Sequence, residues 1–114
     1  MTAPRARSIP RAQKYASKLE ENWAQRLEMQ RYARTISSWR YEAIKLHLGG
    51  GAWYTPDFLV VLPSGEIELH EVKGMMREAA WVRLRVAAER FPWFRFVLVR
   101  RQRGQWVVET VGGE

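Results

Sequence analysis

The chain has 114 residues, 46% of them hydrophobic, which suits one domain with its own core and excludes a disordered tail. It has no cysteine, which excludes a disulfide framework and a thiolate metal site, and no apolar run reaches the ~18 residues of a membrane span. Its net charge is +7, and most of the excess is arginine, whose planar fork grips phosphates in a bidentate way. A small basic domain of this kind most often meets nucleic acid, less often an acidic protein or an anionic membrane, and a solvated basic surface is the plain alternative. No apolar signal segment follows the basic N-terminus, so an intracellular location and no membrane partner are expected.

Residues 1–13 contain Pro4, Pro10, Arg5, Arg7 and Arg11 without an apolar period, and are expected to form a flexible basic arm. Residues 14–114 are expected to form a single domain. The spacing of Leu19, Trp23 and Leu27 predicts a helix from about Ser17 to Arg34. Ile36 to Leu48 reads as a strand or an irregular hairpin arm, ended by the turn Gly49-Gly50-Gly51. Trp53 to Leu62 reads as the next strand, apolar on both faces from Phe58 onward. Pro63-Ser64-Gly65 turns the chain into a partner strand from Glu66 to Lys73. Arg77 to Arg90 has helical spacing and is ended by Pro92. Phe94 to Arg101 and Gln105 to Val111 read as a final pair of strands about a Gln102-Arg103-Gly104 turn. The predicted order is α-β-β-β-α-β-β, an α/β fold.

One stretch carries chemistry. Along Glu66–Lys73 the side chains alternate, so Ile67, Leu69, Glu71 and Lys73 share a face. Two charges thus continue a face that begins as core. Asp57, the only aspartate in the chain, lies five residues before Leu62, and Glu71 lies five after Glu66. Hairpin pairing about the turn brings the two carboxylates to similar heights on adjacent strands. Two carboxylates so close repel one another, and a hard divalent cation such as Mg²⁺, with its preference for oxygen ligands and retained waters, relieves the repulsion. Lys73 is placed to orient or help deprotonate a metal-bound water, which is the equipment for phosphodiester hydrolysis. A structural ion pair of Lys73 with Asp57 or Glu71 is the alternative.

Pro56-Asp57, thirteen intervening residues, then Glu71-Val72-Lys73 resembles the motif of the PD-(D/E)XK nuclease superfamily. With the matching element order, the resemblance covers nearly the whole chain. It implies a restriction-endonuclease-like core, a central mixed sheet flanked by helices, and so a nuclease domain over 14–114. It implies that Asp57 and Glu71 bind Mg²⁺ (with Mn²⁺ as a substitute), that the backbone carbonyl of Val72 is a further ligand, and that Lys73 positions the attacking water. No small-molecule cofactor is implied. It also implies a glutamate from the first helix near the metal. Glu20 lies at the edge of the apolar stripe and Glu21 points away from it, so Glu20 is the catalytic candidate. Ser17-Lys18-Leu19-Glu20 is also a capping box, a role that excludes the catalytic one unless the helix begins elsewhere.

Arg5, Arg7, Arg11, Lys14 and Arg77 are the candidate DNA contacts; Arg83, Arg85 and Arg90 read as a solvated helix face. His47 and His70 read as structural. No appended module for reading sequence is expected in this length, and the chain is similar in size, motif order and basic arm to the Holliday-junction resolvases of archaea and phages. That likeness implies a structure-selective endonuclease making paired cuts in four-way or branched DNA as a homodimer, in the cytoplasm or nucleoid. Trp39, Trp53, Trp81, Trp93 and Trp106 are candidates for the dimer surface. A restriction, repair or nicking endonuclease of the same superfamily is the alternative enzyme. A non-catalytic DNA-binding module is the alternative outside enzymes, ahead of an assembly or scaffolding protein.

Overall fold

Ser17 opens the first helix. Its Oγ accepts a hydrogen bond from the Glu20 backbone N–H at 3.1 Å, and α1 follows over Lys18–Tyr32 with Trp23, Ala24 and Leu27 buried. The structure, a computed structural model, describes residues 14–112. The expected arm at 1–13, with Arg5, Arg7 and Arg11, lies outside the described residues.

Two predicted strands are each divided. Ile36–Leu48 holds β1 (Ser38–Tyr41) and β2 (Leu46–Gly49), separated at Glu42, which takes a left-handed φ of 48°. Trp53–Leu62 holds the end of β3 (Ala52–Tyr54) and then β4 (Phe58–Val61). Pro56 lies in the break, where its missing N–H costs no ladder hydrogen bond. The remaining elements are β5 (Ile67–Lys73), α2 (Glu78–Arg90), β6 (Arg95–Gln102) and β7 (Gln105–Val111), close to their predicted bounds.

Five strands form the main sheet in the order β1-β4-β5-β6-β7, while β2 and β3 pair with each other in a separate hairpin. Neighbours in the main sheet are antiparallel except β5 and β6, which are parallel and joined through α2, so the sheet is mixed. With the β2–β3 hairpin set aside as an insertion, the main sheet and its helices keep the predicted order.

A helix covers each face. Phe96 and Leu98 of β6 pack with Leu69 of β5 against Leu84 and Ala87 of α2, over the inner side of the hairpin. Val97 and Val99 of β6 pack with Val72, Phe58 and Val60 against Trp23 and Leu27 of α1. This double covering is why β6 reads as an unbroken apolar run. The sheet closes on α2 at Gly112, where φ is 69° and a Cβ would meet that of Ala88 at 2.8 Å. Trp39, Trp81 and Trp106 are half-buried against these layers, and Trp53 and Trp93 are exposed. Among the described residues no helix is long and apolar enough to cross a membrane.

Phe58 is fully buried, with Tyr15, Trp39 and Tyr41 around its ring. Phe58→Ala is expected to cost about 3–5 kcal/mol in denaturant unfolding. Arg103 and Gly104 make the β6–β7 turn with φ of 52° and 76°. Asparagine tolerates this left-handed region better than arginine, so Arg103→Asn should raise stability by about 0.5 kcal/mol in the same assay.

Candidate active site at the sheet end

The turn after β4 is closed by the Gly65 N–H donating to the Leu62 carbonyl at 2.8 Å, and the Leu62 N–H donating to Glu66 at 2.9 Å. This sets a register in which Leu59 lies opposite Leu69 and Phe58 opposite His70. One step further, Asp57 comes opposite Glu71. The sheet ladder stops there, and the Asp57 side chain takes over from it: Oδ2 accepts from the Val72 N–H at 2.8 Å. Glu71 lies on the α2 face, in phase with Leu69, and is only 7% exposed. Its Oε1 accepts from the Tyr54 hydroxyl at 2.6 Å, and its Oε2 lies 3.3 Å from Lys73 Nζ. Lys73 stands half-exposed at the rim.

Burial, then the negative charge of Glu71 and less so of Glu20, pushes the Asp57 carboxyl up to about 8, against the opposing hydrogen bond from Val72 and the charge of Lys73. Burial also raises Glu71, although Tyr54 and Lys73 act to lower it. In a simple structural ion pair the ammonium would hold its carboxylate below the usual range. Here desolvation and mutual repulsion win, so the corner is short of positive charge.

Glu20 approaches over the sheet end from the α1 side. Its backbone N–H serves the Ser17 cap, while its buried carboxylate accepts from the Tyr41 hydroxyl at 2.6 Å. The expectation that capping and site roles exclude each other is therefore corrected. The cap uses the backbone of Glu20, which leaves the carboxylate free to face the acidic corner. Its charge raises both Asp57 and Glu71.

Tyr41 and Tyr54 escape the sequence reading. Tyr54 is the buried residue of β3, delivered by the hairpin, and burial beside Glu71 raises its hydroxyl well above the usual tyrosine range. Tyr41, on β1, is likewise raised by burial and by Glu20. A tyrosine three residues before the lone aspartate is the trace that Tyr54 leaves in the sequence. The β3–β4 break hides which way it points. Lys14 and Arg77 are exposed, Arg77 as the residue that precedes α2. Arg83 of α2 acts electrostatically on Tyr54. His70 faces α1, away from Glu71: Trp23 Nε1 donates to its Nδ1 at 3.0 Å, and its Nε2 contacts Glu68 at 2.9 Å. His47 is exposed on the hairpin.

Among the described residues no three His, Asp or Glu side chains form a metal-ligand cluster. Mg²⁺ commonly takes one or two protein carboxylates and completes its shell with water and phosphate oxygens. Asp57 and Glu71, two hard oxygen donors with Lys73 as a single partial countercharge, fit that habit, and the Val72 carbonyl belongs to the same backbone segment.

Asp57 keeps its proton to higher pH in the folded chain than in the unfolded one. Between about pH 4 and pH 8 the folded state thus binds more protons, and stability falls as pH rises. With EDTA present, thermal unfolding should show a falling Tm across this window, for a loss of up to about 5 kcal/mol. Asp57→Asn should flatten that profile and make the variant the more stable protein near pH 8. Tyr54→Phe should push the Glu71 carboxyl further up in an NMR titration, because Glu71 loses the hydroxyl that favours its charged form. No family model, curated protein or solved structure matches the chain, and what the site can do follows from its own residues.

Proposed function

We propose that the chain is a Mg²⁺-dependent DNA endonuclease of the PD-(D/E)XK type on a restriction-endonuclease-like core, selective for branched DNA and most of all for Holliday junctions, cut by a homodimer. The observation that carries this reading is the juxtaposition of Asp57 and Glu71, one step beyond the β4–β5 ladder at a desolvated strand end, both raised in pKa, with Lys73 in phase beside them. Strongly perturbed carboxylates at a sheet end mark a site for chemistry more than a site for stability.

Asp57 and Glu71 would hold the ion, with the Val72 carbonyl beside them. The bound ion would supply polarisation of a water and neutralisation of charge building on the phosphate. Tyr54 keeps one Glu71 oxygen fixed, so the other is presented toward Lys73. The Lys73 ammonium, reachable from solvent, can hold the attacking water by a hydrogen bond or take a phosphate oxygen. Glu20 adds negative charge behind the pair and strengthens its demand for a cation. The net charge of +7 favours association with the DNA backbone, and Lys14 and Arg77 are exposed to meet its phosphates. A four-way junction has two-fold symmetry, which two copies of one small site match.

Labelled four-way junction, flap, duplex and single strand, each with Mg²⁺ and with EDTA, test the reading. Paired symmetric nicks in the junction are expected, and EDTA should abolish them. Asp57→Asn and Glu71→Gln should each slow cleavage by at least about 100-fold while DNA binding persists. Lys73→Met should lower kcat with little change in affinity. Cutting of plain duplex at one sequence would point instead to a restriction enzyme, and binding without cutting to a non-catalytic module. Size-exclusion chromatography tests the dimer.

A further inference from the structure

The β2–β3 hairpin has two unlike faces. Leu46, Leu48 and Tyr54 are buried beneath it and fix it to the α2 layer. On its outer face Trp53 is 49% exposed, paired across the strands with His47 and with Lys45 alongside. The His47 and Trp53 rings lie 4.6 Å apart at 39°, and Lys45 Nζ is 5.2 Å from the indole centroid. The His47 Nε2 is within 2.7 Å of the Gly50 carbonyl, which holds the imidazole in place. Gly50 and Gly51 leave the tip open, with no side chain to obstruct an approaching strand.

From Ala43 to Pro56 the chain has no acidic residue. The outer face therefore offers a large, flat, half-exposed ring with a cation over it, on a segment with no negative charge to repel a phosphate. A nucleobase lying on an indole, with its phosphate near an ammonium, satisfies both features. Only an unpaired base can do so, because the bases of an intact duplex are already stacked on one another. Trp53 lies four residues before Asp57, at most about 14 Å of chain, which a few nucleotides span. On the opposite face of the same strand, Tyr54 holds Glu71.

We infer that Trp53, with Lys45 and His47, is a stacking platform for an unpaired nucleobase of the DNA strand that enters the site, and that it selects DNA carrying unpaired bases over plain duplex. This rests on the endonuclease reading for its link to cleavage, though not for binding. A strand kept stacked elsewhere gains nothing from the indole, while a flap or an opened junction does.

The test uses the full chain and flap, single-strand and duplex oligonucleotides, with 2-aminopurine at the unpaired position next to the branch. In EDTA, wild type should quench the probe and bind flap more tightly than duplex. Trp53→Ala should abolish the quench and lower flap affinity about tenfold while leaving duplex affinity unchanged. Trp53→Phe should restore most of both, and Lys45→Ala should weaken all substrates and reduce the salt dependence. An unchanged quench and an unchanged flap-to-duplex ratio in Trp53→Ala would overturn the platform. So would an effect of that substitution on self-association alone, which would mark a contact between copies. The two readings separate in the Mg²⁺ arm. A Trp53-dependent quench without any cleavage upholds the platform and removes the nuclease. Cleavage of branched DNA that ignores Trp53→Ala upholds the nuclease and removes the platform. Failure to bind any DNA removes both.

Discussion

Two carboxylates occupy one poorly solvated corner because the backbone register leaves them no alternative. Asp57 is placed by the β4–β5 pairing, and Glu71 by the alternation of β5, whose preceding in-phase residues are core. The corner supplies a peptide N–H from Val72, a hydroxyl from Tyr54 and an ammonium from Lys73. These offset part of the repulsion and desolvation, and both carboxyls remain raised. A fold selected for stability alone would place apolar residues here, since well-packed hydrophobic groups replace buried charges at little or no loss. The unfavourable electrostatics that remain are the kind a divalent cation relieves.

The architecture brings several elements together at this corner and leaves Lys73 half-exposed at its rim. α1 and α2 cover opposite faces of the sheet, and the parallel pairing of β5 with β6 sends the chain from the end of β5 out into α2. The carboxyl end of β5 keeps β6 as its partner through Lys73, while on its other edge the β4 ladder ends at Phe58. Open α/β sheets present their binding clefts outside such strand ends, where backbone leaves the ladder and side chains converge from several elements. Here those elements are α1 through Glu20, β1 through Tyr41, the hairpin through Tyr54, and β5 itself.

The hairpin between β1 and β4 makes the corner more than a sheet end. Its inner face belongs to the core, and the last buried side chain on that face reaches Glu71. Its outer face keeps an indole, an imidazole and an ammonium in contact with solvent. Because one short strand carries both Trp53 and Tyr54, any load on the outer face acts on a strand that also orients an acidic group.

Local physics made much of this chain legible. The helix bounds followed from Ser17, Pro92 and a fourfold apolar spacing, and the doubly covered strands from runs without alternation. The Asp57–Glu71 pairing followed from a single tight turn and a count of residues on either side, since a two-residue period leaves no freedom once the turn is placed. Tertiary structure alone decided the rest. The division of two predicted strands into four depends on which residues find ladder partners, and Glu42 and Pro56 break local pairing in ways that only the packed hairpin compensates. The direction of the Glu20 carboxylate depends on Tyr41, 21 residues away, and the polarity of the corner on Tyr54, 17 residues from Glu71. Such contacts between distant residues carry no periodic signature, so the sequence could place the acids but not their hydroxyl partners.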